Sequence, residues 1–168
     1  TVTVPTFSIS QTEVTIGQYR MCVNAGRCRR PDSGWDAEPG TRENRPVAYV
    51  NWYQAREFAR FAGGHLPSEA EWEYAASNRA VGRAYRDYPW GDESASCRRL
   101  HYGPCFLNEP QPVCSRPDGH TAQGLCDMGG NVAEWIEDHW HVNYEFAPTD
   151  GSPWVDNFDL DVRVVRGG

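Results

Sequence analysis

The first half of the chain carries apolar residues at the spacing of amphipathic helices. Thr15 precedes one such pattern, which ends near Gly26, and Asn51 precedes another, which ends at Gly63 and Gly64. Thr and Asn are favoured helix N-caps, and glycine is favoured just after a last turn. We therefore predict a helix after Thr15 and a second helix after Asn51. Their apolar faces are Ile16, Tyr19 and Val23 in the first, and Trp52, Ala55, Phe58, Ala59 and Ala62 in the second.

A third helix is predicted from the capping residues at its N-terminus. Ser68 and Glu71 have the spacing of a capping box, and Glu69 lies in the first turn, where the helix dipole favours an anion. The helix should continue to about Ser77. The three glutamates Glu69, Glu71 and Glu73 could also be read as paired catalytic carboxylates, but capping and a solvated helix face explain them better.

Alternation of apolar and polar residues is confined to the two ends of the chain. Thr1–Ser10 alternates and predicts a strand, as does Val162–Arg166 before two glycines. Between them, residues 46–50 read as extended and Asn131–Trp135 as a tight turn. Residues 78–128 and 149–160 lack any period and predict long loops.

Composition explains how a loop-rich chain could still fold. Of 168 residues, 39% are hydrophobic, and 7 Trp and 8 Tyr offset the scarcity of aliphatic side chains. The length suits a single domain. No apolar run reaches the roughly 20 residues of a membrane span. We expect one domain, residues 1–168, with an aromatic core.

The charge balance narrows the function classes. The net charge is -7, which disfavours nucleic acid and anionic membranes as partners. Every basic residue is arginine, so catalysis by a lysine Schiff base or a lysine general base is excluded.

Six cysteines fall into three local pairs along the chain. We predict disulfides Cys22–Cys28, Cys97–Cys105 and Cys114–Cys126, one of fifteen possible connectivities. No pair has the C-x-x-C spacing of a zinc site. Disulfides favour an oxidising, extracytoplasmic compartment: secreted, periplasmic or cell-surface. The alternative is six reduced, buried thiols.

Three ordered groups of segments stand out along the chain. They are Pro46–Val47, Val50–Trp52, Ala55 and Leu66–Ala76; Tyr88–Gly91; and Gly124–Trp135 with Arg163–Gly168. Together they resemble the formylglycine-generating-enzyme family, also called the sulfatase-modifying-factor domain. The resemblance implies an α+β, C-type-lectin-like fold with short helices, a small antiparallel sheet and long irregular loops that often bind calcium.

The same resemblance argues against catalysis by this chain. In the family, a copper-binding cysteine pair follows the segment that matches Arg166–Gly168, and none of the six cysteines here matches it. We therefore expect a non-catalytic binding or structural module that lacks the C-terminal segment, with a second segment or chain completing the fold. The alternative is a copper-dependent oxidase that converts a sulfatase cysteine to formylglycine, with its cysteines beyond Gly168.

A calcium loop is also implied by the resemblance. Its ligands would be Glu134, then Asn131, and the carbonyls of Gly130 and Val132, because calcium prefers six to eight oxygen ligands. Ala133 stands where the family usually has Trp. The alternative is a structural turn in which Glu134 pairs with an arginine. The region matching the family's second calcium site, residues 100–108, is rewritten around two cysteines and gives no ligands.

Two further groups of side chains are candidates for binding. His139 and His141 would share one face of a strand and suggest a mononuclear iron enzyme, although a polar-aromatic rim explains them better. Five aromatic residues lie in polar stretches and could anchor a protein or glycan partner, or fill the core. They are Trp35, Trp140, Tyr144, Phe146 and Trp154.

Overall fold

The computed structural model describes residues 1–33, 40, 42–77, 86–105, 109–156 and 162–168. The three predicted helices are confirmed as α1 (Ile16–Asn24), α2 (Trp52–Phe61) and α3 (Glu69–Ala76). Each begins with a complete capping box, at Thr15, Asn51 and Ser68 respectively. These boxes satisfy the first free N–H groups, so short helices start at defined residues.

The described strands form a two-stranded antiparallel sheet. Strand β1 is Ala133–His139 and β2 is Arg163–Gly167, with Ala133 opposite Gly167 and Glu134 opposite Arg166. The register is irregular between Trp135 and His139. The sheet packs against α3 through the core residue Ile136.

Among the described residues, the core consists of two apolar clusters. The larger lies between α3 and the sheet, and the smaller surrounds Tyr19 and the Cys22–Cys28 bridge. Trp52 Nε1 donates to the Ile136 carbonyl at 2.9 Å, linking α2 to β1. The larger cluster comprises Trp72, Ala75, Ala76, Leu125, Met128, Ile136 and Val164, with Phe7 and Ile9 packed against it.

Two local predictions were wrong. Residues 1–10 form no strand; Phe7 and Ile9 pack on the core, while Thr3 N donates to the Thr149 carbonyl. Their alternation therefore reflects one buried side and not pairing in a sheet. The tight turn expected to extend to Trp135 ends earlier, because β1 begins at Ala133 and pairs with β2.

Disulfides stabilise the loops that lack regular structure. The bridges join Cys22–Cys28, Cys97–Cys105 and Cys114–Cys126, the pairs that the sequence predicts. None of the helices in the described part of the chain has the length and apolarity needed to cross a bilayer.

Candidate metal loop and aromatic surface

The loop before β1 has a conformation that depends on Gly130 and Asn131. Asn131 has a φ of 71° and donates its N–H to the His101 carbonyl at 2.8 Å. A Cβ on Gly130 would lie 2.7 Å from that same carbonyl oxygen. Only glycine therefore allows this close approach of two backbones.

Two oxygen atoms lie close to Gly167, opposite the start of β1. The Val132 carbonyl oxygen and Oε1 of Glu134 lie 3.4 and 3.5 Å from the point that a Cβ on Gly167 would occupy. Gly167 has a φ of 71° and keeps that point free of a side chain. Oε2 of Glu134 accepts a hydrogen bond from Trp72 Nε1 at 3.1 Å. This hydrogen bond fixes the Glu134 carboxylate, and its Oε1 and the Val132 carbonyl both lie on the side of Gly167.

Buried carboxyl groups lie close together around this loop. Burial, with a smaller contribution from the nearby Asp127, raises the pKa of Glu134 to about 7. Burial and Asp127 also raise the pKa of Glu13 to about 8. The ion pairs among the described residues include neither glutamate. A divalent cation would offset the cost of ionising these groups.

The arginine nearest to Glu134 in the sheet has another partner. Arg166 is opposite Glu134 in the register, but its guanidinium pairs with Glu69 and lies 3.3 Å from the hydroxyl of Tyr144. The alternative in which Glu134 pairs with an arginine is therefore not the arrangement found in the described residues.

The Asn131 side chain is engaged at both ends. Its Nδ2 donates to Oε2 of Glu13 at 2.7 Å and to the Gln111 carbonyl at 3.1 Å. Its Oδ1 accepts from Gln111 N at 2.8 Å. The amide thus holds the loop in place, and the oxygen atoms found near Gly167 are those of Val132 and Glu134.

His139 and His141 use ring nitrogens within the protein. Strand β1 ends at His139, so His141 lies beyond it and the two do not share a strand face. Nδ1 of His141 donates to the His139 carbonyl at 3.0 Å, and Nε2 contacts the Asp156 carboxylate. His139 Nδ1 accepts from Asp156 N at 2.9 Å. These contacts engage both ring nitrogens of His141 and Nδ1 of His139, which disfavours an iron site shared by these two histidines.

One group of three metal-donor side chains occurs within the described ranges. It consists of Cys114, His120 and Cys126, and its two sulfurs form a disulfide. Disulfide sulfur is not a thiolate ligand, so this group is a bridge with a neighbouring histidine.

The aromatic residues after β1 form an exposed surface. The side chains of Trp140, Tyr144 and Phe146 are 61, 67 and 89% exposed. Trp154 is half-buried and stacks on His141, with ring centroids 3.5 Å apart. His141, Trp154 and Asp156 help to line an open cleft of about 530 Å³ beside this surface. Trp35 lies outside the described residues.

Comparison with known proteins assigns the family. The model of the sulfatase-modifying factor enzyme 1-like domain matches residues 1–168. The chain belongs to this family.

The chain is 39% identical over 164 residues to a formylglycine-generating enzyme of Streptomyces coelicolor, covering 87% of this chain and 48% of that protein. It is 31% identical over 200 residues to a hercynine oxygenase of Mycolicibacterium thermoresistibile, covering 99% and 44%. The chain therefore spans about half the length of these relatives.

Solved structures agree with this sulfatase-modifying-factor fold. PvdO from Pseudomonas aeruginosa superposes with a TM-score of 0.72 at 29% identity, covering 94% of this chain and 66% of that one. Treponema denticola variable protein 1 gives a TM-score of 0.75 at 23% identity, covering 99% and 74%, and shows the fold alone. The predicted C-type-lectin-like α+β fold is confirmed.

Sequence reasoning missed Glu13 as a member of the site. Glu13 lies 118 positions before Asn131, in a stretch without a local motif. A single acidic residue between Thr12 and Val14 is the only signal the sequence offers there. Its partners become visible only once the N-terminal segment is placed against the loop.

Proposed function

We propose that this chain is a non-catalytic, calcium- and disulfide-stabilised module that presents loops to a partner outside the cytoplasm. The observation that carries the proposal is the state of the cysteines: all six are joined in disulfides. A copper–thiolate oxidase needs reduced, accessible thiolates. This chain, as it stands, offers none of its own for that chemistry.

Calcium is supported by the donor set around β1. The proposed ligands are Oε1 of Glu134 and the carbonyls of Val132 and Gly130, with Asn131 holding the loop. Hard oxygen atoms, a buried carboxylate and neighbouring negative charge suit calcium. The bound ion would supply positive charge and crosslink the loop to the start of the sheet.

The partner surface is the aromatic segment after β1. Trp140 and Tyr144 are exposed beside the cleft wall that carries Trp154. Trp and Tyr are frequent anchors in binding interfaces because they bury a large area at low entropic cost. We propose that a protein or glycan binds here. The three disulfides support an extracytoplasmic location.

A second candidate is a formylglycine-generating oxidase whose catalytic cysteines lie in residues beyond Gly168. It is favoured by the 39% identity to the Streptomyces coelicolor enzyme. In that case the module described here would be the scaffold for a copper site supplied by another segment.

A single assay separates the two candidates. The full-length product of the gene that encodes this chain, loaded with Cu(I) under air, is incubated with a sulfatase-type cysteine peptide, and the peptide is followed by mass spectrometry. An authentic formylglycine-generating enzyme serves as the positive control. The proposal expects the peptide to stay unmodified; conversion of its thiol to an aldehyde would overturn it. Titration of the same preparation with Ca²⁺ by calorimetry tests the metal assignment separately.

A further inference from the structure

The side chain of Glu13 is built into the back of the metal loop. Glu13 is 7% exposed. Its Oε2 accepts from Asn131 Nδ2 at 2.7 Å, and its Oε1 accepts from Val132 N at 3.1 Å. One carboxylate therefore holds two successive residues of the loop, and no arginine of the described ion pairs faces it.

The backbone on both sides of Glu13 is fixed. The Gln11 carbonyl accepts from Cys126 N at 2.9 Å, and the Val14 carbonyl accepts from Val47 N at 2.8 Å. Gln11 Nε2 also donates to the Gly124 carbonyl at 3.1 Å. The segment that carries Glu13 is thus bonded to the stretch that leads into the loop, so its carboxylate has little freedom to move away.

Glu13 bonds to the residue that would supply a ligand. It accepts the N–H of Val132, while the carbonyl oxygen of Val132 and Oε1 of Glu134 both lie close to Gly167. Because a peptide group is planar, fixing the N–H of Val132 fixes the whole peptide group that joins Asn131 to Val132, and so limits how the loop can present Val132. Groups that orient metal ligands in this way commonly change metal affinity 10- to 100-fold when removed.

We propose that Glu13 is the positioning residue of the calcium loop: it holds the Asn131 side chain and the peptide group between Asn131 and Val132, two residues before Glu134. It does not touch the ion. This inference rests on the proposed calcium site and extends it to the N-terminal segment.

The test compares the affinity of the full chain for Ca²⁺ in wild type, Glu13→Gln and Glu57→Gln. In Glu13→Gln, the amide oxygen would still accept one hydrogen bond, but the amide NH₂ group would face the NH₂ group of Asn131, and two donors cannot bond to each other. The substitution also removes the carboxylate charge. Glu57 is the matched control, since it pairs with Arg29 away from the loop. Calorimetry gives the Kd for Ca²⁺. Luminescence of Tb³⁺, excited through Trp72, reports the same site.

We expect Glu13→Gln to bind Ca²⁺ at least tenfold more weakly, and Glu57→Gln to match wild type. The rise in melting temperature on adding Ca²⁺ should shrink in Glu13→Gln, whereas a merely structural role would lower the melting temperature with and without Ca²⁺ alike. If Glu13→Gln does not fold, Glu13→Asp, which is too short to reach both partners, is expected to weaken binding at least fivefold. If the wild-type chain binds Ca²⁺ and the Kd of Glu13→Gln lies within threefold of the wild-type Kd, the inference about Glu13 is wrong and the calcium assignment stands. If the wild-type chain binds no Ca²⁺, the calcium assignment is wrong and the inference about Glu13 falls with it.

Discussion

Trp72 Nε1 donates a 3.1 Å hydrogen bond to Oε2 of Glu134, so an indole on α3 fixes the position of a carboxylate on β1. The indole is 8% exposed and belongs to the larger core cluster. The orientation of the proposed calcium ligand is therefore set by core packing. Disturbing either the metal or the core should affect the other.

Calcium should stabilise the chain through Glu134. At a Ca²⁺ concentration 100 times the Kd, the free energy of unfolding should rise by about 2.7 kcal/mol. In Glu134→Gln this increment should vanish, while stability in EDTA at pH 8 should be unchanged or higher, because a buried charge is removed. Urea denaturation with Ca²⁺ and with EDTA measures both. An equal increment in wild type and variant would refute the role of Glu134.

Stability without calcium should fall as the pH rises. Burial raises the pKa of Glu134 from 4.5 to about 7 and that of Glu13 to about 8. The folded chain then binds protons more tightly than the unfolded chain, so the associated stability is full below pH 4.5 and is lost through pH 7 to 8. We expect a loss on the order of a few kcal/mol between pH 5 and 9 in EDTA.

Calcium should flatten this pH dependence, because the ion stabilises the ionised carboxylates. The measurement is urea denaturation at intervals across that pH range, in EDTA and in excess Ca²⁺. Glu134→Gln, which lacks one of the titrating groups, should show a shallower slope in EDTA. Stability that increases with pH in EDTA would contradict the prediction.

The disulfides should differ in their contribution. Cys114–Cys126 closes a separation of 12 residues and Cys22–Cys28 one of 6. Chain entropy predicts a cost of about 3 kcal/mol for replacing the first pair by serine and about 2 kcal/mol for the second. Urea denaturation of the two double variants gives the comparison. A larger loss from the shorter loop would show that contacts within the Tyr19 cluster outweigh loop entropy.

The aromatic surface should be dispensable for folding. Trp140→Ala and Phe146→Ala remove side chains that are 61 and 89% exposed, so each should change the free energy of unfolding by less than about 0.5 kcal/mol. A glycan or protein that is first selected because it binds the wild-type chain should bind each of these two variants at least tenfold more weakly, as measured by biolayer interferometry. Trp52→Phe is the contrasting variant. It should cost about 2 kcal/mol because the Ile136 carbonyl loses its donor.

The opposite result, a loss of stability without a loss of binding, would assign the exposed aromatic residues a structural role. If Trp140→Ala destabilised the chain as much as Trp52→Phe and left binding intact, the exposed rings would serve the fold. The predicted partner surface would then have to lie elsewhere.

The sequence by itself determined the features that depend on near neighbours. The capping residues Thr15, Asn51 and Ser68 mark the helix starts, because a cap acts within one turn. The disulfide pairs follow from short separations, and the ordered motifs carry the family. Tertiary structure alone decided that residues 1–10 form no strand and that His141 bonds to Asp156. It also brought Glu13 to Asn131, 118 positions away, because burial and hydrogen bonding between distant segments leave no local pattern to read.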